Sequence, residues 1–554
     1  MPAGGGGEVI TLQFGNYANH VGAHFWNLQD AMIDYTGQEP ESEDPISHDV
    51  LFRCGETPSG APTYTPRLLL YDLRDSTSAL SQEGVLYGDA SQQAQVASWD
   101  PERVERLMQP LDEPSPYHQH LEQLQTQQAG DRGHSKSEFV VETEHVRSWS
   151  DYLRPLLHPR TVNLVPTHCH EDPAVAFDAF WLARPLLQPT AQFMETFEDR
   201  VRAYMEECDT PYGFQIVADA DTAFAGIAAG AIQHLRDEYG RKGIMCYAAH
   251  SPGHSLGYDA ATAHPELDEE HQAAKTAAHA QHRLRSAAYL MYECMQYGAT
   301  YIPLSTHDAW RDGSPRAFLR LDVDYSSRYH TSAIMAAAID TATLPYRLHS
   351  SDVSFAHLMS ALQGPASMAG MTTVLPFEMD DYYLSDMFSR LEAGQDLRVV
   401  PLTPSFAPDL TPAITACSLR GINATKVKPP IAVLRQRGTM SAYDRCDSPN
   451  EMLQRFLGSG RRARQFMARV VSHGLPVGSP FPDWFHHGGR AGRSVTVSTM
   501  ASLETGPAVH ASAAALASTF LAMRHRPYLG PSWEREEFDE MRQVLSDRLL
   551  DEEQ

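Results

Sequence analysis

The stretch EVITLQFGNYANHVGAHFWNLQDAM (8–32) limits the possible folds more than any other part of the chain. EVITLQF (8–14) reads as a buried strand. Gly15 follows directly, and NHVGAHFWNLQDAM then reads as a helix, because Val21, Phe25, Leu28 and Met32 recur at helical spacing. The alternation continues. TPRLLLYDL (65–73), TVNLVP (161–166), GFQIVAD (213–219) and GIMCYAA (243–249) are further strand candidates. FAGIAAGAIQHLRDEY (224–239) is a helix with Ile227, Ala231 and Leu235 on one face. Strands alternating with helices predict an α/β fold with a doubly wound, mostly parallel sheet.

The rest of the pattern divides the chain. Residues 76–147 turn polar and Gln-rich (SQQAQ, HLEQLQTQQAGDRGHSKSE), as expected of a partly mobile insertion. The first domain is therefore read as 1–75 with 148–340, and 341–364 as a connecting helix. Beyond about residue 365 the pattern is shorter and Pro-interrupted, which predicts a second, α+β domain over 365–500. Helices with an acidic end follow over 501–554. In SWEREEFDEMRQVLSDRLLDEEQ, Ser532 is a candidate N-cap and Phe538, Met541, Leu545 and Leu549 form an apolar stripe.

Charge and length exclude some functions. The formal net charge is −26, and a field of that sign repels phosphate backbones, so no nucleic-acid partner is expected. The longest largely apolar segment, VHASAAALASTFLAM (509–523), falls short of the roughly 20 residues that span a bilayer. Membrane contact is then expected to be peripheral. MPAGGGGEVITL has neither the basic nor the apolar region of a secretory signal. Seven cysteines without C-x-x-C pairing suit a reducing, intracellular compartment.

GHSLG (253–257) fits the G-x-S-x-G nucleophile elbow, with Ser255 as nucleophile and His486 as one nominal partner. An elbow needs a strand running straight into the turn and a helix starting at once after it. Here HSP intervenes, Pro252 breaks the strand end and Pro265 delays the next helix. A serine hydrolase is the disfavoured alternative, and a glycine-containing loop at the carboxyl edge of a sheet the preferred one.

Three stretches carry a resemblance. EVITLQFGNYANHVGAHFWNLQD resembles the opening of the tubulins, with Gln13, Gly15, Asn19, Gly22, Phe25 and Trp26 keeping the matching types. YTPRLLLYDL is similar to a second tubulin segment, and EECDTPYGFQIVADADTAFAGIAAG to the one that holds the glycine-rich signature. Closer still are the Misato proteins, a tubulin-related family. They share the L-Q-F-G-x-Y-A-N opening, a W-S-D-[FY]-L…H-P-R segment (SWSDYLRPLLHPR, 148–160) and a D-x-x-[TV]-x-x-Y-R stretch (DTATLPYR, 340–347). The resemblance implies a tubulin-like fold with a Rossmann-like GTPase-type domain. It further implies a protein of the cytoplasm and the mitochondrial outer membrane that affects mitochondrial distribution and morphology, with links to microtubules and the spindle. Expected partners are tubulin, the cytosolic chaperonin or mitochondrial-surface proteins.

Tubulin-like nucleotide binding needs glycine loops that bring backbone N–H groups and a helix N-terminus up to the phosphates. Aligned through GFQ, the signature's glycines have become Asp221, Thr222, Ala223, Ala225 and Ile227, and its threonine has become Phe224. Asp219 and Asp221 are expected to cap the helix that follows, gaining about 0.3–1 kcal/mol each from its dipole, and to repel a triphosphate. Tyr17 and Ala18 replace Cys and Gly in the first loop, and Arg74 in DLRDST (72–77) replaces an acid near magnesium. PTHCHEDP (166–173) stands where tubulins have A-G-N-N, and Ala356 in SFAHLMS replaces an Asn. Together these changes predict no catalytic residue, no cofactor and lost hydrolysis. The remnant nucleotide-site positions are Gln13, Gly15, Asn16, Asn19, Asp72, Asp219, Asp221 and Thr222. The alternative is a GTP-binding GTPase with a non-standard pocket, favoured by the survival of Gln13, Gly15, Asn16, Asn19 and Asp72.

Two smaller signals remain. HCHED (168–172) has spacing that could meet zinc, but a polar loop is the plainer reading, and no metal is expected. Arg455, Arg461, Arg462, Arg464, Arg469, Arg490 and Arg493 share a segment whose one acid is Asp483. They form either a solvated surface or a docking patch for anionic lipid or an acidic partner.

Overall fold

Strand β1 (Glu8–Phe14) passes through Gly15 into helix α1 (Asn16–Asp30), every residue of which is buried. The computed structural model describes residues 7–33, 44–56, 62–80, 113–128, 139–170, 176–252, 269–310, 313–349, 351–364, 367–377, 382–395, 397–460, 463–484, 496–523 and 535–550. After α1 come β2 (Leu68–Arg74), α2 (Pro116–Gln128), β3 (Val162–Cys169) and α3 (Gln192–Glu207). Then follow β4 (Pro211–Asp219), α4 (Phe224–Tyr239), β5 (Gly243–Ala249), α5 (Glu269–Gln296) and β6 (Thr300–Leu304). The six strands form one parallel sheet in the order β3-β2-β1-β4-β5-β6.

Side chains alternate between the two faces, as strand geometry requires. Ile10, Leu12, Phe14, Phe214, Ile216, Ile244 and Cys246 pack in one core with α3, α4 and α5. Val9, Val217, Met245 and Tyr247 pack in another with α1. Burial on both faces explains why these strands read as nearly continuous apolar runs.

A second sheet contains β7 (Gly370–Val374), β8 (Val400–Pro401), β9 (Ile414–Arg420), β10 (Gln465–Val470) and β11 (Thr499–Thr505). Its order is β8-β7-β11-β9-β10, antiparallel except for β9 with β10. Helix α6 (Arg328–Ala342) touches both α1 and this sheet, and Thr331 to Ala342 are all buried. Its small residues in AIMAAAID let the flanking layers approach closely. Residues 341–364 hold the end of α6, a 3-10 turn (Leu344–Tyr346) and α7 (Phe355–Leu362). The short helix α8 (Ile431–Arg437) lies outside the sheet and buries none of its residues. Helices α9 (Pro507–Ala522) and α10 (Arg535–Leu549) finish the described chain. The stripe Phe538, Met541, Leu545 and Leu549 is buried as its spacing predicts, with Phe538 5.3 Å from Phe520 of α9. Ser532 lies outside the described residues.

A fully buried ionic network ties these layers together. Asp340 of α6 accepts from Arg347 at 2.9 Å and also from Arg420 of β9. Arg347 donates to Gln29 of α1 at 2.6 Å, and Gln29 donates back to Asp340. Arg420 also reaches the Gly474 carbonyl at 2.8 Å. Asp340 and Arg347 are the first and last residues of the DTATLPYR motif, so that motif encodes one arm of this network. Removing the shared carboxylate would leave two desolvated guanidiniums facing each other. Asp340→Asn is therefore expected to lower stability by about 3–5 kcal/mol in urea unfolding; a loss below about 1 kcal/mol would contradict this role.

Candidate functional site

The carboxyl ends of β1, β2, β4 and β5 bring most of the remnant positions together. Gly15 adopts φ +106, and its N–H donates to the Tyr71 carbonyl at 2.9 Å, so the first turn of α1 lies close against the sheet edge. Asp219, the last residue of β4, reaches into that turn. Its Oδ1 accepts from the Ala18 N–H at 2.6 Å and its Oδ2 from the Tyr17 N–H at 3.3 Å. A Cβ added at Gly15 would stand 2.3 Å from Asp219 Oδ2, so both the φ and the clearance require glycine there. An anion position at a helix N-terminus is thus filled by a carboxyl group from the protein itself.

This arrangement corrects the expected capping. Asp219 and Asp221 do not cap α4: Ala223 is its N-cap residue and makes no side-chain cap bond, while Thr222 Oγ1 accepts from the Phe224 N–H at 3.3 Å. Asp219 caps α1 instead. Asp221 accepts from the Ser251 N–H at 3.0 Å and from Arg283 Nη2 at 2.7 Å, and lies 2.8 Å from His250 Nδ1. Burial alone would raise its pKa, but Arg283 and then His250 outweigh burial and hold it below the usual carboxylate range. Phe224, at the start of α4, packs edge-on against Phe177 at 5.3 Å. The loop where tubulins carry glycines is therefore closed by an ion pair and an aromatic contact.

Asp72, at the carboxyl end of β2, is fully buried. It accepts from Asn19 Nδ2 at 2.9 Å, Trp149 Nε1 at 2.8 Å and its neighbour Leu73 N–H at 2.8 Å, with Asn16 Nδ2 at 3.5 Å. Burial raises its pKa despite the nearby His170 and these donors. Trp149 opens the 3-10 turn Trp149–Tyr152, which is started by a Ser148–Asp151 capping box. Ser148 also donates to the Ser76 carbonyl, and Ser150 to that of Thr77 at 2.7 Å. The W-S-D segment thus pins the 72–77 loop, and Arg74 points outward, exposed.

Of the remaining expected positions, Gln13 does not join the site. Its amide packs along α1, where a Cβ at Gly22 would meet Gln13 Nε2 at 2.1 Å. Arg328, at the start of α6, was not singled out by sequence; its Nη1 donates to Asn16 Oδ1 at 2.8 Å, and burial lowers its pKa although Asp219 and Asp72 lie near. Ser115 and His118, beside the start of α2, bond the Asp151 and Leu153 carbonyls at 2.6 and 2.9 Å, so part of the polar 76–147 segment is a docked helix. Among the described residues no group of three His, Cys, Asp or Glu is placed to hold a metal, and no helix is long and apolar enough to cross a membrane. GHSLG, His486, Glu171 and Asp172 of HCHED, and Arg461, Arg462, Arg490 and Arg493 lie outside the described residues. Arg469 pairs with Asp352.

Burial, reinforced by Asp72, raises the Asp219 pKa to about 8 against the pull of the two N–H donors. Near neutral pH the group is therefore mostly protonated, in place of the charged carboxylate that was expected. The folded chain keeps a proton that the unfolded chain releases near pH 4, so this group's contribution to stability falls as pH rises from about 4 to about 8. Asp219→Asn cannot ionise. Its stability relative to the unsubstituted chain is expected to climb over that window, by at most about 1.4 kcal/mol per pH unit, in urea unfolding at several pH values. A difference that stays flat or shrinks would contradict the assignment.

Comparisons with known proteins identify the family. Residues 7–123 match the family model described as Misato Segment II tubulin-like domain, and residues 139–348 match a Tubulin domain. The chain is 31% identical over 517 residues to protein misato homolog 1 of Homo sapiens, covering 87% of this chain and 84% of that protein. It is 31% identical over 509 residues to the Bos taurus homolog, with 87% and 84% covered. Protein misato of Drosophila melanogaster is 30% identical over 503 residues, with 86% and 83% covered. The parallel six-stranded sheet, the loop ends gathered around α1 and these matches together place the chain in the Misato family of tubulin-like proteins.

Proposed function

We propose that this chain is a non-catalytic tubulin-like protein that works through its surfaces, taking part in the distribution and morphology of mitochondria. It would act in the cytoplasm and, peripherally, at the mitochondrial outer membrane. One observation carries the non-catalytic half: the Asp219 carboxyl group, bonded to the Ala18 and Tyr17 N–H groups, stands where a phosphate would have to sit. The Asp221–Arg283 pair and the Trp149–Asp72 bond support it, because both engage carboxylates at the loop ends with the chain's own side chains. The mitochondrial half, and partners such as tubulin, the cytosolic chaperonin or mitochondrial-surface proteins, rest on the family resemblance.

The rival reading, a GTP-binding GTPase, keeps one favourable observation: Gly15, Asn16, Asn19 and Asp72 do meet at one sheet edge. Calorimetry with GTP and Mg²⁺ on the purified chain, with an assay for co-purified nucleotide, separates the two. No heat of binding and no bound nucleotide are expected. Micromolar affinity would overturn the non-catalytic reading. For the partner half, immobilised protein is expected to retain tubulin or chaperonin from a cell extract, and failure to retain either would remove that half.

A further inference from the structure

Residues 410–443 hold five Lys or Arg and no Asp or Glu, in a chain whose net charge is −26. The same run carries three of the most exposed large apolar side chains among the described residues: Ile431, 70% exposed, Met440, 51%, and Leu410, 43%. Ile431 opens α8, a seven-residue helix that Gly438 ends in a left-handed conformation. Arg420 belongs to the buried network, and Arg437 forms a two-pronged pair with Asp386 at 2.6 and 3.0 Å, with Asp444 close by. Lys428 and Arg435 are in no ion pair among the described residues. Arg435 is exposed on α8, and Lys426 and Lys428, both half-buried, lie just before it.

We infer that α8 and its flanks form a docking surface for an anionic lipid bilayer, with Ile431 and Met440 entering the headgroup boundary while Lys428 and Arg435 meet lipid phosphates. The inference rests on the peripheral reading above and gives it a place on the molecule. Three physical points favour a bilayer over a protein. First, Ile431 stands outward from a helix with no buried residue and Met440 from the segment just after it, whereas a protein partner of apolar anchors is normally met by a groove. Second, such side chains bury cheaply in a soft interface that flows around them, and basic residues beside them add attraction to anionic headgroups. Third, one seven-residue helix offers little of the roughly 1,200–2,000 Å² that a stable protein interface buries. The negative charge elsewhere on the chain would repel the same bilayer, which orients the molecule with this face inward.

Flotation of the full-length protein with phosphatidylcholine vesicles, with and without phosphatidylserine, tests the surface. Binding is expected only with phosphatidylserine and is expected to weaken in high salt. Ile431→Asp with Met440→Asp, and separately Lys428→Glu with Arg435→Glu, are each expected to weaken it at least about tenfold. All four positions lie outside the cores, so both double variants are expected to keep the unsubstituted Tm. No binding to the anionic vesicles, or full binding by either double variant, would overturn the inference. So would retention on immobilised polyglutamate without vesicle binding, which would make the partner an acidic polypeptide. Loss of partner retention with intact vesicle binding would strike the proposed function alone; the reverse would strike this surface alone.

Discussion

The contact between the Asp219 carboxyl group and the first turn of α1 decides how this fold can be used. A helix N-terminus presents unpaired N–H groups and a partial positive charge, and something must satisfy them. In a nucleotide-dependent relative a phosphate can do so. Here a residue at the end of the adjacent strand does. The arrangement has a physical cost: burial keeps the carboxyl largely protonated near neutral pH, far from its ordinary behaviour. That cost is offset by the two N–H bonds and by Gly15, whose positive φ brings them within reach.

The neighbouring loop ends repeat the same solution with different chemistry. Asp72 is held by the Trp149 indole and Asn19, and Asp221 by Arg283 and the His250–Ser251 segment. The Asp340, Arg347, Arg420 and Gln29 network does the equivalent work between the two sheets. Buried ion pairs of this kind add little net stability, because their desolvation offsets much of their attraction, yet removing one partner is costly. A tubulin-like architecture can thus hold buried carboxylates at its loop ends and between its layers by pairing them with its own side chains.

Much of the architecture was legible in the sequence. Strand alternation in EVITLQF and GIMCYAA, helical spacing in α1 and the stripe from Phe538 to Leu549 are local signals that need no partner to be read. The gathering of Gly15, Asn16, Asn19 and Asp72 at one edge was legible only through the resemblance. What escaped was long-range pairing. Asp219 lies at the foot of α4 in sequence, so a local rule assigned it to that helix, while in space it meets Tyr17 and Ala18 some 200 residues earlier. Gln13 matched a family position yet packs along α1, because its strand register points it at Gly22. Arg328 had no signal at all: it is the first residue of α6, and its role depends on where Asn16 falls. Trp149 was visible as part of a motif, but no periodicity reveals that an indole N–H will find Asp72.

The use of this fold turns on what occupies the N-terminal turn of α1. A crystal structure of the protein grown with GTP and Mg²⁺ present measures that directly. The Asp219 carboxyl group is expected on the Tyr17 and Ala18 N–H groups, with no phosphate beside Gly15. A guanine nucleotide seated there, with Asp219 turned away, would contradict it.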